Sequence, residues 1–191
     1  MKIFIDTEFI ESGPDKPIHL ISLGAVAEDG QRFYGENLEC PLEQANDWVR
    51  QNVLPHLGID KINQRHGHDF DLYWVNGTIR ELADHFESWV SVRCDMPRRA
   101  DQPPSKPEFW GYYADYDWVV LCQMFGAMVD LPKGWPMYCR DIKQWSDDLG
   151  GLILPAQDTT EHNALDDALW NKTAWEFLES RSRENVILSA R

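Results

Sequence analysis

The stretch KIFIDTEFIE, residues 2–11, decides how the rest of the chain is read. It opens as an apolar run suited to a buried strand and closes on acids separated by a single residue. In an extended chain, side chains two positions apart share a face, so Asp6 and Glu8 project together. Two carboxylates held that close repel, and one tends to stay protonated unless a cation sits between them. A metal ion is the economical answer. The same pattern also arises by chance at strand ends that face solvent or an arginine, so other segments have to decide.

Working outward, HLISLGAVAE (19–28) and QRFYGENLE (31–39) read as further strands joined by Asp29-Gly30, a dipeptide that favours a hairpin. The Gly, Pro and Asp content of IESGPDKP (10–17) marks a loop before them. In ANDWVRQNVLPHL (45–57), Trp48, Val49, Val53 and Leu54 share a helical stripe until Pro55 interrupts it. GIDKINQRHGHDFDLYWVNG (58–77) has no clean period and predicts no element. TIRELADHFESWVSVR (78–93) spaces Ile79, Leu82, Ala83, Phe86, Trp89 and Val90 as one face of a helix, with Thr78 and Glu81 as its capping box.

Residues 94–107, CDMPRRADQPPSKP, are rich in proline and charge and predict an exposed connection. EFWGYY (108–113) then reads as a strand, DYDWVVLCQMFGAMV (115–129) as a helix and MYCRDI (137–142) as a short strand. KQWSDDLG (143–150) is helical, and NALDDALWNKTAWEFLES (163–180) forms a long final helix. Strands first, then alternating strands and helices, predict an α/β fold: a mixed sheet flanked by helices in a single domain over residues 1–191.

The net charge of −14, from 18 basic and 32 acidic residues, argues against a broad electrostatic grip on a duplex or an anionic membrane. It leaves room for a nucleic-acid enzyme, because a site built of carboxylates contributes negative charge that bound metals reverse locally. The first residues, MKIFIDTEFI, turn acidic early, and no apolar stretch reaches the length of a signal core or a membrane span, which predicts a soluble cytoplasmic protein. Cys40, Cys94, Cys122 and Cys139 lack close pairing, so they suggest buried free thiols rather than a zinc ribbon or redox dithiol.

The second acidic segment is HNALDDA, residues 162–168. His162 and Asp167 are too far apart in sequence to share a helix face, so His162 should precede the helix. Asn163 suits the N-cap and places Asp166 at N3, which leaves Asp167 free to point elsewhere. The helix dipole alone would also account for acids in a first turn. Between the two segments lies YYADYDWVVL (112–121), where one of Asp115 and Asp117 can cap a helix while the other faces inward. Read alone, both are equally ordinary acids at a helix start.

Taken in order, these segments resemble the DEDDh exonucleases, the ribonuclease H-like superfamily that includes proofreading exonucleases, oligoribonuclease and ribonuclease T. DTEFIE, LISLGAVAEDG, YDWVVLCQMFG and HNALDDA are more closely similar to the bacterial exoribonuclease AS group, which trims 3′ ends with a preference for adenylate tails. The chain departs from that group in longer connections near residues 58–76 and 94–107. The resemblance implies Asp6, Glu8, Asp117 and Asp167 as ligands of two divalent cations, Mg²⁺ or Mn²⁺, with Asp6 bridging and Asp115 as the poorer alternative to Asp117. It makes His162 the general base for the attacking water, since an imidazole exchanges protons near neutral pH.

It also places the terminal nucleotide beside Phe9, although strand parity sends that side chain to the face opposite Asp6 and Glu8. His19, His56, His66, His68 and His85 read as ordinary surface or core residues, with weak adventitious metal binding open to His66 and His68. Arg98, Arg99 and Lys106 read as solvated loop charges or as a phosphate-guiding arm. The implied substrate is a single-stranded nucleic acid, RNA before DNA, and the implied assembly is a homodimer without membrane partners. Two other readings stay open: an exonuclease acting on single-stranded DNA, and a catalytically silent binding module that keeps the fold.

Overall fold

The computed structural model of the chain describes residues 1–58, 66–95 and 105–189, the side chains of residues 69 and 185–189 excepted. Its strands are β1 (Lys2–Ile10), β2 (His19–Ala27), β3 (Arg32–Asn37), β4 (His66–Asp69), β5 (Leu72–Gly77), β6 (Glu108–Gly111) and β7 (Arg140–Asp141). Its helices are α1 (Asp47–Asn52), α2 (Ile79–Asp95), α3 (Asp115–Phe125), α4 (Ile142–Asp148) and α5 (Ala164–Ser189). The strands form one mixed sheet of seven in the order β4-β5-β3-β2-β1-β6-β7. β1, the stretch read first, is central: it runs antiparallel to β2 and parallel to β6.

Alternation along β1 divides the core. Ile3 and Ile5 join the cluster beneath α2 and α3, whereas Phe4 joins the one beneath α5. Each of these side chains is at most 1% exposed, a burial that stabilises the fold by roughly 1.5–3 kcal/mol apiece. The first cluster is held by aromatic packing of Phe33 and Phe109 around Phe86 on α2. The capping box that starts α2 is formed: Glu81 accepts from the Thr78 N–H (2.8 Å) and hydroxyl, and the Thr78 hydroxyl accepts from the Glu81 N–H (3.2 Å). The turn between β2 and β3 closes as expected, with Gly30 at φ +89°.

Segment 58–77, which showed no sequence period, supplies the hairpin β4–β5 within its described part. Trp74 and Val75 are adjacent and both buried, because this part of the sheet is covered on both faces, and that masks alternation. Several predicted elements are shorter than expected. α3 stops at Phe125, where Gly126 takes φ +117°; β6 stops at Gly111; β7 is reduced to Arg140–Asp141. Asp141 caps α4 through the Gln144 N–H (2.8 Å), which ends the strand, and its other oxygen accepts from the N–H of Ala114 at the head of α3 (2.8 Å).

β6 and β1 part company after the Phe4–Trp110 pairing. The carbonyl of Ile5 would be left without a ladder partner, and Asn171 of α5, 1% exposed, donates its Nδ2–H to it (2.9 Å). α5 is thereby tied to the strand just before Asp6. Its first turn rests directly on β2 at Gly24, the cross-strand partner of Asp6. A Cβ at Gly24 would lie 2.0 Å from the Ala164 carbonyl oxygen and 2.4 Å from the Leu165 nitrogen. Both are backbone atoms that cannot rotate away. Gly24→Ala should therefore cost about 1–3 kcal/mol, and at about 2–4 °C per kcal/mol the melting temperature should fall clearly. Gly58→Ala, whose Cβ would meet nothing within 4 Å among the described residues, is the control that should melt like the parent.

Candidate active site

Asp6 and Glu8 emerge from the second half of β1 on the face that carries α5, and Glu8 is 9% exposed. Thr7 between them points the other way, toward α3. Its backbone N–H and its hydroxyl both donate to Asp117 Oδ1, at 2.8 and 2.6 Å. Asp117 is 7% exposed while Asp115 lies open to solvent, so of the two acids left open by the sequence it is Asp117 that turns inward. The odd residue of the Asp-Thr-Glu triplet thus anchors the acid arriving from α3.

The third arm is the head of α5. Asn163 caps the helix, its Oδ1 accepting from the N–H groups of Leu165 (3.1 Å) and Asp166 (3.2 Å), and its Nδ2 donates to the His56 carbonyl (3.0 Å). His162 precedes the cap in the left-handed region at φ +64°, a conformation uncommon for a residue with a Cβ. Its backbone N–H donates to Asp167 Oδ2 (3.0 Å), which closes the first turn on itself. The imidazole stands edge-on to Trp48 of α1, ring centroids 4.8 Å apart at 75°.

These arms converge. Among the described residues, Glu8, His162 and Asp167 each offer a ligand atom within 4.8 Å of the others. Asp6 and Asp117 lie outside that tight group but within its field, because the charges on Asp117, Asp167 and Glu8 all act on Asp6. Sequence positions more than 150 residues apart thus meet in one cleft. Carboxylate oxygens with a single imidazole are a donor set suited to a hard divalent cation, and the crowding of negative charge is what such a cation relieves.

Phe9 sits on the opposite face, as strand parity requires, stacked on Tyr116 with centroids 5.7 Å apart and planes at 13°. Lys106 lines a surface cavity with Trp135, Tyr138 and Arg140, while Arg98 and Arg99 fall outside the described residues. His66 approaches His85, at 5.0 Å between centroids, away from this cleft. Sequence reading missed Thr7, Trp48 and Gln157, the last of which donates its Nε2–H to Asp167 Oδ1 (2.6 Å). None of them carries a signal of its own, since each acts only through a partner brought up by folding.

Comparison with known proteins shows the family of the chain. The pattern of the 3′-5′ exoribonuclease Rv2179c-like domain matches residues 1–178. This chain belongs to that family. Two relatives from Mycobacterium tuberculosis, named 3′-5′ exoribonuclease Rv2179c and 3′-5′ exoribonuclease MT2234.1, are each 35% identical to it over 170 residues, which is 88% of this chain and 87% of theirs. A solved structure titled "crystal structure of full-length 3'-exonuclease" covers 96% of this chain and 81% of its own at TM-score 0.49 and 11% identity, too loose a likeness to add to the assignment. The matched Rv2179c-like region ends at Leu178, which is fully buried beneath the sheet. No helix among the described residues is long and apolar enough to cross a membrane.

The electrostatics of this Rv2179c-like domain follow from burial first and from like charge second. Burial, then Asp167 and Asp117, push Glu8 up to about 8. Burial pushes Asp117 up to about 6 against the two Thr7 hydrogen bonds. Asp6 is raised well above its ordinary value by burial and by Asp117, Asp167 and Glu8; Asp167 is raised by burial and held back by its bonds from Gln157 and His162. Carboxyls whose folded pKa is raised bind protons more readily folded than unfolded. Their contribution to stability is therefore full below the unfolded values near pH 4 and is lost as pH rises through about 6 for Asp117 and about 8 for Glu8. Metal-free protein should melt several degrees lower at pH 8 than at pH 5. Glu8→Gln should flatten that dependence, and saturating Mn²⁺ should raise the melting temperature more at pH 8 than at pH 5, as read by differential scanning calorimetry.

Proposed function

We propose that this chain is a metal-dependent 3′-to-5′ exoribonuclease of the DEDDh, ribonuclease H-like type, which releases nucleoside monophosphates from single-stranded RNA. The observation that carries this reading is the meeting of Glu8, Asp167 and His162 within ligand distance, with Asp6 and Asp117 in the same field. The names of the Mycobacterium tuberculosis relatives, both 3′-5′ exoribonucleases, support the same activity and direction. Preference for adenylate ends, and assembly as a homodimer, follow from the resemblance to the exoribonuclease AS group and belong to the same proposal.

Asp6, Glu8, Asp117 and Asp167 would hold two divalent cations. When bound, such ions stabilise the charge that develops on the attacking and leaving oxygens of an in-line phosphoryl displacement. The residues of the chain do the remaining work. Thr7 fixes Asp117 through two hydrogen bonds to one oxygen of that carboxylate. His162 accepts the proton of the attacking water at an imidazole nitrogen directed toward Glu8 and Asp167. Trp48 keeps the ring in that orientation by its edge contact, and more than half of its own surface stays exposed beside the cleft. The stacked pair of Phe9 and Tyr116 borders β1 from the α3 side, and the resemblance places the terminal nucleotide beside Phe9.

The test is digestion of 5′-labelled single strands, RNA and DNA, ending in adenylate, uridylate or cytidylate, with Mg²⁺, Mn²⁺ or a chelator. The expected result is stepwise loss from the 3′ end of RNA, fastest for adenylate ends and absent with the chelator. His162→Ala should lower kcat by about 10²–10⁴-fold with the fold intact, and Asp167→Ala should abolish release. Equal rates on RNA and DNA would remove the ribonuclease assignment. Binding of oligonucleotides without any release, unchanged in Asp6→Asn, would favour a silent binding module.

A further inference from the structure

Gln157 lies in the segment that joins α4 to α5, and it is the partly buried residue of an otherwise exposed run: Ala156, Asp158, Thr159 and Thr160 are all open to solvent. The surrounding backbone is not free to drift. The Leu152 carbonyl accepts from the Ser146 hydroxyl of α4 (2.9 Å), and the Pro155 carbonyl accepts from the Trp170 indole N–H of α5 (3.0 Å). The chain is thus pinned to both helices just before Gln157. From there the amide turns inward, and Nε2 donates to Asp167 Oδ1 (2.6 Å) and to the Thr159 hydroxyl (3.2 Å).

Asp167 Oδ2 accepts from the His162 backbone N–H (3.0 Å), so both oxygens of this carboxylate are gripped by N–H donors. A carboxylate oxygen has two lone-pair sites, so one donor on each does not exhaust its capacity, and Glu8 and His162 offer ligand atoms within 4.8 Å of one of Asp167's. The grip also prevents Asp167 from folding back onto the N–H groups of its own helix, the usual destination of an acid in a first turn. The donors are neutral. An arginine or lysine in the same place would fix the carboxylate equally well but would repel an incoming cation.

We propose that Gln157 is a positioning residue for the metal centre: it holds Asp167 in the ligand orientation before the ion arrives and so sets metal affinity. This inference rests on the metal-dependent reading above. Outer partners of metal ligands characteristically govern affinity by 10–100-fold, and the role does not require contact with substrate.

The experiment is Mn²⁺ titration of the full chain, followed by electron paramagnetic resonance of the free ion, for the wild type, Gln157→Ala and Gln157→Asn. Asparagine keeps the amide but is one methylene too short to reach Asp167 from the same backbone. Both variants should weaken Mn²⁺ binding about 10–100-fold while melting within a few degrees of the parent. At subsaturating Mn²⁺ their kcat should fall, and excess Mn²⁺ should restore it with KM for RNA unchanged. Unaltered Mn²⁺ affinity in both variants overturns the proposal. A raised KM at saturating Mn²⁺ with normal metal affinity also overturns it, because Gln157 would then be a substrate contact. If the wild type itself binds no Mn²⁺, the metal-centre reading fails first, an outcome visible in the wild-type titration alone.

Discussion

Like charge, drawn into a partly buried cleft, is the constraint on which this structure turns. Glu8 and Asp117 are less than a tenth exposed, and Asp6 and Asp167 stand in the same field. Left to themselves such groups separate, or take up protons and lose their negative charge. The fold opposes separation by holding Asp6 and Glu8 side by side on β1 and by fixing Asp117 and Asp167 from α3 and α5. It does so with bonds to backbone and to neutral side chains, so the charge is not cancelled internally. What remains is a cluster of negative charge with the donor chemistry that suits a ligand of opposite sign.

The scaffold accomplishes this with a few points of close contact. β1 supplies two acids on one face and, through Thr7, the anchor for a third on the other. The early end of β6 frees the Ile5 carbonyl, and Asn171 uses it to tie α5 to β1 beside Asp6. Gly24 lets the head of α5 lie on the sheet with no side chain between. Asn163 then joins the same helix end to the backbone after α1, at His56, which brings Trp48 against His162. Together these contacts bring acids from distant parts of the sequence to a common centre.

Much of this was legible in the sequence for reasons that are local. Alternation in residues 2–9, the Asp-Gly turn, the 3–4 spacing of α2 with its capping box, and the Asn163 cap are all set by neighbours in the chain, and each is present. The shared face of Asp6 and Glu8 follows from strand geometry alone. The β4–β5 hairpin was not legible, because burial on both sides places Trp74 next to Val75 and erases the period. Element ends were overrun where a tertiary event stopped them: β6 at the divergence from β1, and β7 where Asp141 turns to cap α4.

The sequence by itself determined the identity and order of the charged residues, the faces on which adjacent ones project and the places where helices begin, since these depend on dihedral preferences and short-range hydrogen bonds. Tertiary structure decided which acid of the pair at 115 and 117 turns inward, the left-handed setting of His162, and the recruitment of Thr7, Trp48 and Gln157. Those outcomes depend on atoms far apart in the chain. Only packing, which weighs burial against charge across the whole cleft, brings such atoms within hydrogen-bonding reach.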